Sequence, residues 1–90
     1  MEFTCHEEKR LRNLKKHGLN FNQAHKVFSG PIFTFEDTRF EYDEQRFVTI
    51  GLLKDVVVIV HTETDKEVRI ISMRGATKHE QKLYFKNIYG

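Results

Sequence analysis

The chain has 90 residues, of which 31% are charged and 39% hydrophobic, with a formal net charge of +2. These proportions describe one small globular domain over residues 1–90 with a modest core, and they argue against a disordered chain. No apolar run reaches the ~20 residues of a membrane helix, the charged N-terminus is unlike a secretory signal, and the single cysteine, Cys5, cannot close an internal disulfide. A reducing, cytoplasmic setting with no membrane partner is the expectation.

Charge is distributed unevenly. Residues 6–17 (HEEKRLRNLKKH) carry five Lys or Arg against two Glu, and residues 69–86 carry five more against Glu80 alone. Between them lies an acidic middle with Glu36, Asp37, Glu41, Asp43 and Glu44. Such a pattern suits one face for a polyanion and another for a basic partner, or a merely solvated surface.

In chain order, Phe3–Cys5 reads as a short strand. A helix is predicted from His6 to His17, with Leu11 and Leu14 on its buried side and Gly18 ending it. Leu19 and Phe21 return to the core, and Asn20 or Asn22 caps a second, short helix that buries Ala24, Val27 and Phe28 before Gly30-Pro31 stops it. Strands follow at Ile32–Glu36, Arg46–Leu52, Val56–Thr62 and Glu67–Met73, with the acidic stretch Asp37–Gln45 as a loop or a strand edge. Val56–Val60 is apolar on both faces, the mark of a central strand. Thr77 and Glu80 form a capping-box pattern before a last helix, Lys78–Asn87, that buries Leu83, Tyr84 and Ile88. The fold class is therefore α+β: an antiparallel sheet packed by two N-terminal helices and one C-terminal helix.

The stretch Val56–Arg74 brings chemistry to a hairpin. With Thr62 opposite Glu67 in a symmetric turn, Thr62 and Arg69 share one face and His61 takes the other, while Arg74 beyond the strand is free to turn either way. Arg69 needs a carboxylate, Glu63 or Glu67, or an external anion. Arg74 lies beside the amide-rich start of the last helix, an anion-attracting place. His61, His17 and Lys16 are candidates for proton transfer or phosphate contact. There is no zinc-ligand spacing, phosphate-binding glycine loop or nucleophile elbow, so neither a metal nor a cofactor is expected.

Several segments resemble the BrnT toxin family: NLKKHGLNF (Asn13–Phe21), Ala24 with Phe28, YDEQRF (Tyr42–Phe47), Gly51, HTE (His61–Glu63) and RIISMRGATKHE (Arg69–Glu80). Lys16, His17, Arg46, Glu63, Arg69, Arg74 and Glu80 match family positions. The resemblance implies a RelE-like fold and a metal-independent RNA endonuclease of a type II toxin–antitoxin pair. Such an enzyme inhibits translation and is neutralised by a BrnA-type antitoxin, a ribbon-helix-helix protein through which alone operator DNA is contacted. In such a ribonuclease the 2′-hydroxyl of RNA attacks its own 3′-phosphate, which calls for a base, an acid and cations. Arg69 and Arg74 are the expected cationic clamp, Glu63 or His61 the base, and His17 or Lys16 the acid. Lys9, Lys15, Lys78 and Lys82 are the expected electrostatic guides for RNA. The opening Thr4-Cys5-His6 departs from the aromatic-Trp-Asp pattern of the family. This departure favours a second reading, an inactive RNA- or antitoxin-binding module of the same fold.

Overall fold

The computed structural model describes residues 2–39, 41 and 43–90; Phe40 and Tyr42 of the acidic connection lie outside the described residues. The elements are β1 (Glu2–Cys5), α1 (Glu7–His17), a 3-10 turn (Phe21–Gln23) leading into α2 (Ala24–Phe28), β2 (Phe33–Glu36), β3 (Phe47–Leu53), β4 (Asp55–Glu63), β5 (Glu67–Gly75) and α3 (Lys78–Tyr89). One five-stranded sheet runs in the order β1-β5-β4-β3-β2. The β2-β3-β4-β5 run is antiparallel, whereas β1 joins β5 in parallel. The sheet is thus mixed, because α1 follows β1 directly and continues in the same sense along the edge of β5.

The central place of β4 follows from its sequence: Val56–Ile59 are apolar at every position and all buried. Val57 and Ile59 meet Val68, Ile70 and Met73 of β5 beneath Phe21, Ala24 and Val27 from the helical N-terminal half. Val56 and Val58 face the other way, with Val48 and Ile50 of β3, under Tyr84 of α3. Tyr84 is fully buried, and its hydroxyl donates to the carbonyl of Pro31 at 2.7 Å, which removes the penalty of hiding a phenol. Gly51 lets α2 approach β3: a Cβ there would stand 2.6 Å from Val27 Cγ1. Among the described residues no helix is long and apolar enough to cross a membrane.

Two details of the β4–β5 hairpin depart from expectation. Thr62 pairs with Arg69 rather than Glu67, because the Thr64 hydroxyl accepts from the amides of Lys66 and Glu67 and closes the turn two residues further on. A shift of two keeps every side chain on its face. Further along, Val60 pairs with Ser72 but His61 pairs with Ile70, so Ile71 is an extra residue in β5. Five positions apart on a regular strand, Arg69 and Arg74 would point to opposite faces; the bulge returns both to the face covered by α3.

Helix α1 corrects the expected apolar side. Leu11 is 52% exposed, and the residue the helix buries is Asn13. The Asn13 side-chain amide donates to the Met73 carbonyl at 2.8 Å and accepts from the Met73 amide at 3.1 Å. It also donates to the Leu19 carbonyl at 3.1 Å. The β1 register ends at Cys5 and Ile70. Asn13 thus takes over the hydrogen bonding of β5 where its strand neighbour stops, and the Gly18 C-cap, at φ 71°, turns the chain back under the sheet.

Replacing Asn13 with Leu leaves the Met73 amide and carbonyl without partners and is expected to cost about 2–4 kcal/mol, read by urea titration. Gly51→Ala is expected to cost about 1–3 kcal/mol by forcing α2 off β3; an unchanged midpoint for either variant would contradict this account of the packing.

Candidate functional site

Docking of Asn13 against β5 orients the residues around it on α1. Lys9, Arg12, Lys16 and His17 flank Asn13 at helical spacing, and together with Ile71 and Ser72 of the bulge they line a shallow groove of about 240 Å³. No carboxylate is among the groove's lining residues. Arg12 and Ser72 are absent from the sequence-based expectation. Arg12 carries a signal in hindsight, because its positions relative to Lys9 and Lys16 are those of one helix face. Ser72 has none, since only the bulge brings it there. Lys15 stands on the exposed remainder of α1, and Lys78 and Lys82 on the exposed side of α3.

Two residues beyond Ser72 on the same face of β5, Arg74 donates to both carboxylate oxygens of Glu80, at 2.7 and 2.8 Å, and to the Gly75 carbonyl at 3.2 Å. The same carboxylate accepts from the Thr77 amide at 2.9 Å, while the Thr77 hydroxyl accepts from the Glu80 amide, completing the capping box of α3. The Arg74 hydrogen bonds, with help from Thr77, hold the Glu80 carboxyl down to about 2. Glu80 is therefore ionised and fully committed, and its chemical effect is to orient Arg74. Arg74 borders a second cleft, of about 330 Å³, with Arg39, Phe35, Val60 and His79 also in its walls. Arg39 donates to both oxygens of the buried Asp37, at 2.9 and 3.0 Å.

The structure disperses the remaining candidates. Arg69 is half-exposed, 3.6 Å from Glu67, near Thr4, His6 and Glu7. With Ile71 bulged out, the span from Arg69 to Arg74 matches Thr62 to Val58 on β4, four strand steps or roughly 13 Å at about 3.3 Å each. Arg69 and Arg74, the expected cationic clamp, thus share a face of β5 but stand at different points along it. His61 is corrected as a base. It points to the face opposite both arginines, is completely buried, and lies between Phe28 (edge-on, 5.1 Å) and Phe47 (stacked, 5.9 Å). Its Nε2 meets the Thr49 hydroxyl at 2.7 Å, and that hydroxyl meets Thr34 at 2.7 Å. Desolvation lowers its pKa to about 4, so the ring is neutral at pH 7 and its 3.4 Å approach to Glu63 is not an ion pair. Glu63 projects to the His61 face as well, across the sheet from Arg74. Among the described residues no group of three or more His, Cys, Asp or Glu side chains is arranged to hold a metal ion.

Fold and groove together define a small α+β protein whose mixed sheet is flanked by a basic groove with no carboxylate in its lining. Residues 6–80 match the family model described as the ribonuclease toxin BrnT of type II toxin–antitoxin systems, and the chain belongs to that family. Among solved structures it is similar to the ribonuclease toxin BrnT of Brucella abortus, with 25% identity and a TM-score of 0.64 over 87% of this chain and 99% of that one. No curated protein sequence matches the chain.

The buried His61 makes stability pH-dependent. Its folded pKa, about 4, lies below the ordinary 6.5. Between these values the unfolded chain binds a proton that the folded one refuses, so the effect is absent above pH 6.5 and destabilises progressively as pH falls towards 4. Urea titrations of His61→Gln, which keeps a polar partner for Thr49, are expected to show a flatter profile across that window than the parent. Parallel profiles would mean that His61 does not titrate there.

Proposed function

We propose that the chain is an active endoribonuclease and that its substrate strand lies across the outer edge of β5. The observation that carries this reading is the α1–β5 groove, where Lys9, Arg12, Lys16 and His17 converge without a carboxylate, on the strand that also carries Arg74. Such a groove favours a phosphodiester backbone over a neutral ligand. Arg12 and Lys16 neutralise the scissile phosphate. Arg74, preset by Glu80, binds the neighbouring phosphate, and Arg69 meets the strand further along. His17 takes the proton of the 2′-hydroxyl as that oxygen attacks the adjacent phosphorus. The protonated Lys16 supplies one to the departing 5′-oxygen, and the products carry a 2′,3′-cyclic phosphate and a free 5′-hydroxyl. The chemistry uses protein groups alone, with no metal or cofactor. Lys15, Lys78 and Lys82 contribute long-range attraction.

As a toxin-family protein the chain has an antitoxin partner. We take this to be a BrnA-type ribbon-helix-helix protein that covers the groove with acidic groups and contacts operator DNA itself, so that translation inhibition through RNA cleavage is relieved when it binds. The reading as an inactive binding module rests on the Thr4-Cys5-His6 opening, and the same experiments separate the two.

Expression in bacteria is expected to arrest growth, and the purified protein to cleave RNA in the presence of EDTA. Lys16→Ala and His17→Ala should each lower the cleavage rate by about 10²–10⁴-fold, and Arg74→Ala by about 10²-fold, with folding checked by circular dichroism. Harmless expression together with intact RNA would establish the binding module instead. Arg12→Gln should reduce the slope of log affinity against log salt by about 1 for every RNA sequence tested; an unaltered slope would remove Arg12 from the backbone contact.

A further inference from the structure

The two openings beside β5 differ in chemistry. The α1–β5 groove is lined by Lys9, Arg12, Lys16 and His17 beside the uncharged Asn13, Ile71 and Ser72. The cleft on the α3 side of the sheet instead has an apolar floor, formed by Val48, Val58 and Val60, closed at one end by Leu83. Phe35 stands at its β2 wall, 39% exposed, with its ring tilted against Phe33 at 5.5 Å. Four of the rim charges form two pairs, Arg74 with Glu80 and Arg39 with Asp37, Glu36 adds a further carboxylate, and His79 at the start of α3 adds an imidazole edge. Beyond the one backbone phosphate that Arg74 binds, a rim whose cations already have carboxylate partners offers little to a second phosphate. A flat, uncharged heteroaromatic ring gains apolar contact below, an aromatic face at the side and hydrogen-bonding groups at its perimeter.

The cleft and the groove are neighbours along β5. Ser72 lies in the groove and Arg74 in the cleft wall, on one face of the strand and two residues apart, roughly 7 Å at about 3.3 Å per residue. That spacing is on the scale of a single nucleotide, so a strand whose phosphate rests in the groove can drop the adjoining base into the cleft. We propose that this cleft is a nucleobase subsite for single-stranded RNA, in which Phe35 and Val60 contact the base and the paired rim groups read its edge. The proposal rests on the ribonuclease reading for its substrate class and deepens it by assigning the residues that set base preference. A volume of about 330 Å³ admits one base and leaves no room for a stacked run, so discrimination is confined to one position.

The test separates this subsite from the catalytic reading. Oligoribonucleotides carrying 2-aminopurine at successive positions, with 2′-O-methyl sugars throughout to prevent cleavage, are titrated with the protein. One position should show a fluorescence change distinct from its neighbours. Phe35→Ala should abolish that difference and Phe35→Trp should restore it, since stacking is worth about tenfold in affinity per base. Mapping of cut sites in natural RNA should show the base preference of the parent reduced by about tenfold in Phe35→Ala. Uniform fluorescence along the oligonucleotide, or an unchanged cut-site preference in folded Phe35→Ala and Phe35→Trp, would overturn the subsite. If instead Phe35→Ala escapes neutralisation by the co-expressed antitoxin while its cut-site preference stays that of the parent, the cleft belongs to the protein partner and the proposal fails. A position-specific fluorescence response in a protein that cuts no RNA would leave the subsite standing and remove the nuclease reading.

Discussion

The Asn13 amide, clasped to both backbone groups of Met73, is the contact on which the functional edge of this protein depends. A sheet edge with unpaired amides and carbonyls invites association with other chains, and small proteins must cover it. Here β1 covers the first half of β5 and a single side chain on α1 covers the next step. Because that side chain is held at two points, the helix cannot roll, and the four residues around Asn13 are presented at the strand in one arrangement. A leucine at this place would have given the helix apolar contact but no rotational register. The polar anchor explains how an 11-residue helix with few buried side chains can position a cationic groove.

A second coupling lies at the other end of β5. Glu80 closes the capping box of α3 and at the same time grips Arg74 in two-point fashion. One carboxylate thereby ties the first turn of the last helix to the last turn of strand, and it holds the guanidinium in a fixed plane rather than leaving it free on the surface. The pair is partly exposed, so it contributes modestly to stability; its larger consequence is orientation. The bulge at Ile71 complements it. By inserting one residue, it brings Arg69 and Arg74 to the same face and points Ser72 towards the groove, so that a local irregularity aligns three side chains that a regular strand would have dispersed.

Much of the architecture was readable from local pattern. The Thr77–Glu80 box, the Gly18 stop, the Gly30-Pro31 break and the doubly apolar Val56–Val60 run each depend on residues within a few positions of one another, and each element stands where those signals place it. The expectation failed where partners are distant. Leu11 looked like the buried side of α1, because an apolar residue is the usual anchor; the true anchor is an asparagine whose partner is 60 residues away. His61 looked like a proton carrier, yet two phenylalanines from separate elements, Phe28 and Phe47, enclose it and hold it neutral.

The sequence by itself determined the α+β class, the order of elements, the capping of the helices and, through the blocks from Asn13 to Glu80, the BrnT family. Those properties reside in short-range spacing and in residue identity, both of which survive without coordinates. Tertiary structure alone decided which basic residues share a surface. The strand bulge, the parallel docking of β1 and the asparagine clasp are set by competition among long-range hydrogen bonds, for which adjacent residues carry no record. Hence Arg12 and Ser72 joined the groove, while His61 and Glu63 went to the other side of the sheet.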